Sequence, residues 1–232
     1  MASHPTPAAG YFDIDTRRHR LKGLTMADCG DVNVVPSGVD VTYDRVQRCV
    51  SKILDRRAFP IVLGGDHGIT YPVLQAFSGL EAVDIVHFDA HMDYVDDYQG
   101  VRLTHGSPIR RCAELPFVNQ ITSIGVRVAR QEPFEDALKR GNHILTADRF
   151  RELGPAKAIS QIPKSNAIYV TIDIDVLNPA EAPGTGTPVV GGLTYLELRE
   201  AIRSIPARGR VVGLDLVEVS PPYDVSEQTS RL

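Results

Sequence analysis

Short hydrophobic runs alternate with amphipathic segments along the chain from about residue 58 onward. Several runs are nearly continuous and rich in β-branched residues, which is typical of parallel strands covered on both faces. The predicted strands are 59–65, 82–90, 120–127, 166–175 and 210–219. Helical periodicity predicts helices over 42–58, 69–77, 133–140 and 193–205. The alternation predicts a single α/β domain over residues 11–232 with a mostly parallel sheet, after a disordered stretch over residues 1–10.

Composition and charge exclude several classes of protein. The 232 residues are 43% hydrophobic and carry a formal net charge of -4, which argues against nucleic acid and is compatible with a small cationic substrate. No apolar run has the length of a membrane span, and the start lacks the apolar stretch of a signal peptide. The cysteines Cys29, Cys49 and Cys112 are scattered without CxxC spacing, so we expect reduced thiols in a cytoplasmic protein.

Acidic residues and histidines cluster directly after four of the predicted strands. The motifs are GGDH (64–67), DAHMD (89–93), DID (173–175) and VEVSPPYD, which contains Glu218. In an open parallel sheet, chemistry is concentrated just past the carboxyl ends of the strands. We therefore expect these four clusters to meet at one edge of the sheet.

The spacing within the clusters predicts a metal centre. Alternate side chains of an extended segment share a face, so residues two apart aim at one point. Such a concentration of buried charge requires a strong positive counter-charge. Oxygen and imidazole ligands without thiolate favour Mn²⁺ over a structural zinc site, and their number favours two ions that share bridging carboxylates. The candidate ligands are His67, Asp89, His91, Asp93, Asp173 and Asp175.

Each of these residues also has an ordinary structural explanation when taken alone. His67 could be a hydrogen-bonding loop residue, and Asp173 could cap a helix. His87, in the middle of a predicted strand, is interpreted as a core histidine with satisfied hydrogen bonds. The glycine-rich segment 184–192 lacks the GK[ST] ending of a phosphate loop, so nucleotide binding is not expected.

The motifs GGDHGITYP, DAHMD, DIDVLNPAEAPGTGTPVVGGLT and GLDLVEVSPPYD resemble, in order and spacing, the signatures of the arginase/agmatinase ureohydrolases from about residue 11 to 229. MADCGDVNV and NPAEAPGTGTP resemble agmatinases more than arginases. The resemblance implies a three-layer α/β/α sandwich, a homo-trimer or homo-hexamer, and hydrolysis of agmatine to urea and putrescine in polyamine biosynthesis. It also implies two Mn²⁺ per subunit. One ion would be held by His67, Asp89, Asp93 and Asp173, and the other by His91, Asp89, Asp173 and Asp175.

The same resemblance assigns residues to the substrate. Glu218 would accept hydrogen bonds from the guanidinium group, since a carboxylate matches that planar fork, and Thr187 would lie beside it. His105, in THGSP, resembles the proton-shuttling histidine of the family and would protonate the leaving amine, although an ordinary loop residue is the alternative. Asp175 would help to stabilise the tetrahedral intermediate.

Three departures from the family pattern leave alternatives open. We expect a strand and loop region before Tyr11 and a final helix after Leu232 to be missing, which would leave an unpaired sheet edge. Asn178 stands where the family usually has Asp, and we expect an indirect effect because the position is not a ligand. The alternatives are a guanidinobutyrase or guanidinopropionase type of amidinohydrolase, or a truncated, non-catalytic homologue that modulates a full-length oligomer.

Overall fold

The structure, a computed structural model, describes residues 10–232, so residues 1–9 of the predicted disordered stretch lie outside the described residues. The chain groups into two compact units, one ending at Asn33 and the other spanning Val34–Leu232. In the first unit, β1 (Tyr11–Asp13) and β2 (Arg18–Arg20) form an antiparallel pair. The assignment of 11–232 to one domain stays a prediction.

The second unit alternates strands and helices as the hydrophobic pattern predicts. Its elements in chain order are α1 (Val39–Asp55), β3 (Ile61–Leu63), α2 (Thr70–Gln75), β4 (Val83–Phe88), α3 (Pro108–Cys112), β5 (Val118–Val126), α4 (Gln131–Lys139), β6 (His143–Thr146), α5 (Ala147–Leu153), α6 (Pro155–Ser160), β7 (Ser165–Asp173), α7 (Tyr195–Ser204) and β8 (Gly209–Val217).

Six of these strands form one parallel sheet in the order β3-β8-β7-β4-β5-β6. The five predicted strands are all present with bounds shifted by one to two residues. The sequence pattern missed β6 because its four residues are too few to show a period, and it missed the short helices α3, α5 and α6 for the same reason.

The helices cover both faces of this sheet, which confirms the α/β/α sandwich. Alternate residues of a strand point to opposite faces. On one face, Val86 and Phe88 of β4 pack in a core cluster with side chains of α5, α6 and α7, such as Phe150. On the other face, Tyr169 of β7 contacts Phe77, just after α2, with ring centroids 5.4 Å apart.

Polar residues fix the start of α7. Thr194 accepts a hydrogen bond from the Glu197 backbone N–H, and the Glu197 side chain accepts one from the Thr194 N–H, which is a capping box. The capping box explains why α7 begins at Tyr195. None of the helices described in residues 10–232 combines the length and apolarity that crossing a membrane requires.

Candidate metal centre

The predicted ligands converge at the carboxyl ends of neighbouring strands in the middle of the sheet. Asp89 directly follows β4, Asp173 ends β7, and these two strands pair in parallel. His67 lies in a 3₁₀ turn that links β3 to α2, and Glu218 directly follows β8. The expectation that the four clusters meet at one edge of the sheet therefore agrees with the observed geometry.

A first group of side chains surrounds one nitrogen of a buried histidine. His67 Nδ1 lies 3.2 Å from Asp89 Oδ2, 3.0 Å from Asp93 Oδ2 and 3.3 Å from Asp173 Oδ2. The Nδ1 atom is fully buried and has no hydrogen-bond partner with acceptable geometry. One ring nitrogen can offer at most one hydrogen to three carboxylates. The arrangement therefore fits a cation placed among these four residues.

The pKa values of the first group also indicate that these carboxylates need a nearby positive charge. Burial disfavours the charged imidazole of His67, but the nearby carboxylates of Asp173, Asp89 and Asp93 outweigh it and raise its pKa well above the ordinary value. Burial, followed by the charge of Asp89, raises the pKa of Asp93 and of Asp173. Without a cation, the carboxylates can keep their charge only at a considerable free-energy cost.

A second group shares one carboxylate with the first. His91 Nδ1 lies 2.9 Å from Asp175 Oδ2 and 3.4 Å from Asp89 Oδ1. The hydrogen bond to Asp175, with a further one to Asp89, raises the pKa of His91 to about 11. Because Asp89 turns Oδ2 to the first group and Oδ1 to the second, its carboxylate is placed to bridge two ions.

The carboxylate of Asp173 lies close to His67, Asp89 and Asp93 in the first group. The second group consists of Asp89, His91 and Asp175. The Asp173 Oδ1 atom accepts a hydrogen bond from the Asp175 backbone N–H at 2.9 Å. A bridging role for Asp173 therefore stays a prediction.

Two of the candidate site residues have a left-handed backbone that side chains rarely adopt. Asp93 has φ 44° and Glu218 has φ 64°. The Asp93 carbonyl accepts hydrogen bonds from the first turn of α3, and the Glu218 N–H donates to the Gly65 carbonyl at 2.9 Å. Such conformations persist only where surrounding bonds hold them, and they concentrate at functional sites.

Two of the predicted substrate residues, Glu218 and Thr187, contact residues of these two groups. Glu218 is half-buried, and its Oε1 accepts a hydrogen bond from the His67 backbone N–H at 2.8 Å. Burial raises the pKa of Glu218, while the His67 hydrogen bond and the charge of His105 oppose the rise. The Thr187 hydroxyl donates to Asp175 Oδ2 at 3.3 Å. His105 is exposed in the turn before α3.

Asn178, which stands where the family usually has Asp, lies outside both groups. Its Oδ1 accepts a hydrogen bond from the Ala180 N–H at 3.1 Å, and its own N–H donates to the Leu193 carbonyl. An asparagine carbonyl oxygen serves this turn as an aspartate oxygen would. The substitution therefore leaves the candidate ligands in place.

His87 is the buried histidine that the sequence analysis interpreted as a core residue. Both ring nitrogens have partners, as expected: Nδ1 lies 3.0 Å from Ser123 Oγ and Nε2 lies 2.9 Å from Asp89 Oδ2. Its contact with a candidate ligand was missed. The signal was present, because His87 and Asp89 are two residues apart and share a face.

Sequence reasoning also missed Arg127, which follows β5. Its guanidinium donates to the backbone carbonyls of Asp175 and Val189, each at 2.7 Å, and to that of Gly125 at 3.1 Å. It therefore joins three segments around the site, including the loop that carries Thr187. No motif spacing could have indicated this, since the acceptors are backbone atoms.

Comparison with known proteins places these features in a family. The sequence model of the Arginase family matches residues 4–232. An agmatinase of Bacillus subtilis is 41% identical over 223 residues, which cover 95% of this chain and 74% of that protein. A guanidinobutyrase of Pseudomonas aeruginosa is 36% identical over 229 residues, covering 95% and 72%. The crystal structure of agmatine ureohydrolase of Thermoplasma volcanium superposes with a TM-score of 0.83 at 33% identity, covering 94% and 73%.

Proposed function

The chain belongs to the arginase family, and from this premise we propose that it hydrolyses agmatine to putrescine and urea with two Mn²⁺ ions per subunit. Membership implies a ureohydrolase with a binuclear metal site that acts on guanidino compounds. The observation that carries the proposal is the Asp89 carboxylate, whose two oxygens face two separate histidine-containing groups.

The residues of the two groups fit the metal that we propose. His67, Asp89, Asp93 and Asp173 would hold one ion, and Asp89, His91 and Asp175 would hold the other, with Asp173 as a second bridge. Carboxylate and imidazole donors without thiolate suit Mn²⁺. When bound, the two ions supply the Lewis acidity that makes a nucleophile from water near neutral pH.

The chain itself would orient the guanidinium group. Glu218 Oε1 is engaged by the His67 backbone, so Oε2 is the oxygen available to a substrate N–H. Gly186 lies beside this oxygen, since a Cβ on it would be 4.0 Å from Oε2, an ordinary contact distance. Thr187, bonded to Asp175, would contact the substrate from the same loop. An ionised carboxylate oxygen accepts a strong, charge-assisted hydrogen bond from a guanidinium N–H.

Proton transfer would complete the reaction. The bond between the guanidinium carbon and the alkyl-bearing nitrogen breaks, the water oxygen becomes the urea oxygen, and both water hydrogens end on the leaving nitrogen. His105 would deliver one of them, because it resembles the proton-shuttling histidine of the family and is exposed to solvent, from which it can be reprotonated. Asp175 would stabilise the charge that develops on the tetrahedral intermediate.

Agmatine is favoured because MADCGDVNV and NPAEAPGTGTP resemble agmatinases more than arginases. The Bacillus subtilis agmatinase, at 41% identity, is also more similar to the chain than a guanidino acid hydrolase of Homo sapiens at 39% or the guanidinobutyrase at 36%. We also propose that the protein works in the cytoplasm as a homo-oligomer, a trimer or a hexamer. These proposals rest on the family and on scattered free cysteines.

The test is urea release by the purified protein, loaded with Mn²⁺ or stripped with chelator, from agmatine, 4-guanidinobutyrate, 3-guanidinopropionate and arginine. Asp89→Ala should abolish manganese-dependent turnover. Asp84→Asn is the matched control, because Asp84 is a buried carboxyl near the start of the same strand that accepts a hydrogen bond from Asn119. It should leave turnover intact.

Each outcome separates the candidates. Fastest turnover of agmatine supports the proposal, whereas fastest turnover of a guanidino acid keeps the enzyme class and changes the substrate. A folded, metal-loaded protein that turns over none of the four compounds would refute the catalytic proposal and favour a non-catalytic homologue.

A further inference from the structure

A chain of buried polar side chains lies behind His67, on the side away from the three carboxylates. His67 Nε2 lies 2.9 Å from Thr171 Oγ1, and Thr171 Oγ1 lies 2.6 Å from Asp215 Oδ1. The Tyr169 hydroxyl donates to Asp215 Oδ2 at 2.7 Å. All four residues are fully buried. Asp215 is thus a buried ionisable group that touches neither the candidate metal ligands nor the substrate residues.

The sheet register places these groups together. Thr171 of β7 is paired with Asp215 of β8, and Thr171 lies two residues before the ligand Asp173 on the same strand. Tyr169 has space because Gly213 stands opposite it: a Cβ there would lie 3.1 Å from the tyrosine ring. Strand β7 therefore carries the candidate ligand Asp173 and also Thr171, which contacts a second candidate ligand, His67, on the side away from the carboxylates.

The direction of the hydrogen bonds follows from counting hydrogens. Nδ1 of His67 faces the three carboxylates and is the ring atom aimed at the proposed ion, so Nε2 must carry the hydrogen when an ion is bound. Nε2 then donates to Thr171, whose single hydroxyl hydrogen goes to Asp215 at 2.6 Å, and the Thr70 hydroxyl, 3.2 Å from Thr171 Oγ1, is the donor in that contact. In the reverse direction, Thr171 would donate to Nε2, and an oxygen lone pair would face the Asp215 carboxylate at 2.6 Å.

We propose that Asp215, acting through the Thr171 hydroxyl, is a positioning group that holds the His67 ring with Nε2–H inward and Nδ1 toward the metal. The inference rests on the proposed role of His67 as a ligand. Hydrogen-bond partners behind a ligating histidine fix its ring orientation, and their loss commonly weakens metal affinity about 10–100-fold.

The experiment measures Mn²⁺ binding in stepwise titrations of the wild type, Thr171→Val and Thr171→Ser. Valine keeps the shape of threonine but removes the hydroxyl, so we expect one of the two binding events to weaken about 10–100-fold and the other to persist. Serine keeps the hydroxyl and should restore the affinity. Thr122→Val is the matched control, since Thr122 is also a buried strand threonine but its Oγ1 has no hydrogen-bond partner.

A second readout does not involve metal. In metal-free protein with ¹⁵N-labelled histidine, His67 should show a slowly exchanging Nε2 proton resonance that is lost or strongly shifted in Thr171→Val. Asp215→Asn should shift the same resonance, because its amide can donate to the Thr171 hydroxyl and reverse the chain. This variant provides the test if Thr171→Val does not fold.

The results distinguish the positioning role from its premise. Unchanged manganese affinity and an unchanged Nε2 resonance in Thr171→Val would overturn the proposal, as would an equal loss of affinity in Thr171→Ser. A His67→Ala variant that binds both ions as tightly as the wild type would instead refute the proposed ligand set.

Discussion

Replacement of Arg127 by methionine should destabilise the protein and impair catalysis together. The guanidinium donates at 2.7 Å to the carbonyls of Asp175 and Val189, and the Asp175 carbonyl belongs to a buried residue. A hydrogen bond from a charged donor contributes about 1.5–3 kcal/mol. Because Arg127 is half-buried, and burial lowers its pKa, we take the lower value for each of the two short bonds. The expected loss is about 3 kcal/mol.

Urea denaturation of the metal-free protein measures this loss. With a slope of about 2 kcal/mol per molar urea, the midpoint should fall by ~1.5 M. The midpoint of Arg127→Lys should lie between those of the wild type and Arg127→Met, because an ammonium cannot span the separated carbonyls. Arg149→Met is the matched control: Arg149 pairs with Glu152 at 2.8 Å on the exposed surface, and such pairs contribute less than about 1 kcal/mol.

The kinetic consequence follows from the neighbours of the two acceptors. Asp175 is a candidate ligand, and Val189 lies two residues after Thr187. A displacement of roughly 1 Å near a reacting group can cost on the order of 100-fold in rate, so kcat/KM for the best substrate should fall by about 10–100-fold. A midpoint for Arg127→Met within about 0.3 M of the wild type would refute the estimate, because that shift is less than ~1 kcal/mol.

Three further outcomes are expected. Glu218→Gln keeps an oxygen for the His67 N–H but loses the negative charge beside the guanidinium, so kcat/KM for agmatine should fall by about 10–100-fold, chiefly through KM. Although burial alone would raise it, hydrogen bonds from Ser230 and Thr229 lower the pKa of Asp224 from 3.8 to about 2. The ionised Asp224 carboxylate therefore stabilises the C-terminal segment fully above pH 4, and this stabilisation is lost as the pH falls toward 2. Pepsin should then cut the C-terminal segment at low pH. Asp224→Asn should remove this pH dependence of cleavage. Leu63 is 75% exposed on β3, and among the described strands β3 pairs only with β8. An exposed apolar side chain on an edge strand should promote self-association, so Leu63→Lys should lower light scattering at high protein concentration.

The sequence by itself determined the fold class and the composition of the candidate metal centre. Long apolar runs are readable as buried parallel strands because the pattern is local, and five of the six strands of the sheet were found in this way. The ligand clusters were readable because acidic residues and histidines directly follow the predicted strands. The extended geometry assumed for these segments was wrong, since Asp93 has φ 44° and Asp175 lies in a 3₁₀ turn.

Only the tertiary structure decided which atoms meet. Thr171 and Asp215 are 44 positions apart in the sequence and adjacent only through the register of β7 with β8. Arg127 acts on backbone carbonyls, which every residue carries, so its role has no sequence signature. His87 looked like any buried histidine until its Nε2 was placed against Asp89. Local periodicity specifies which face a side chain occupies, but the partner across the sheet depends on strand order and register, which are set by packing of the whole domain.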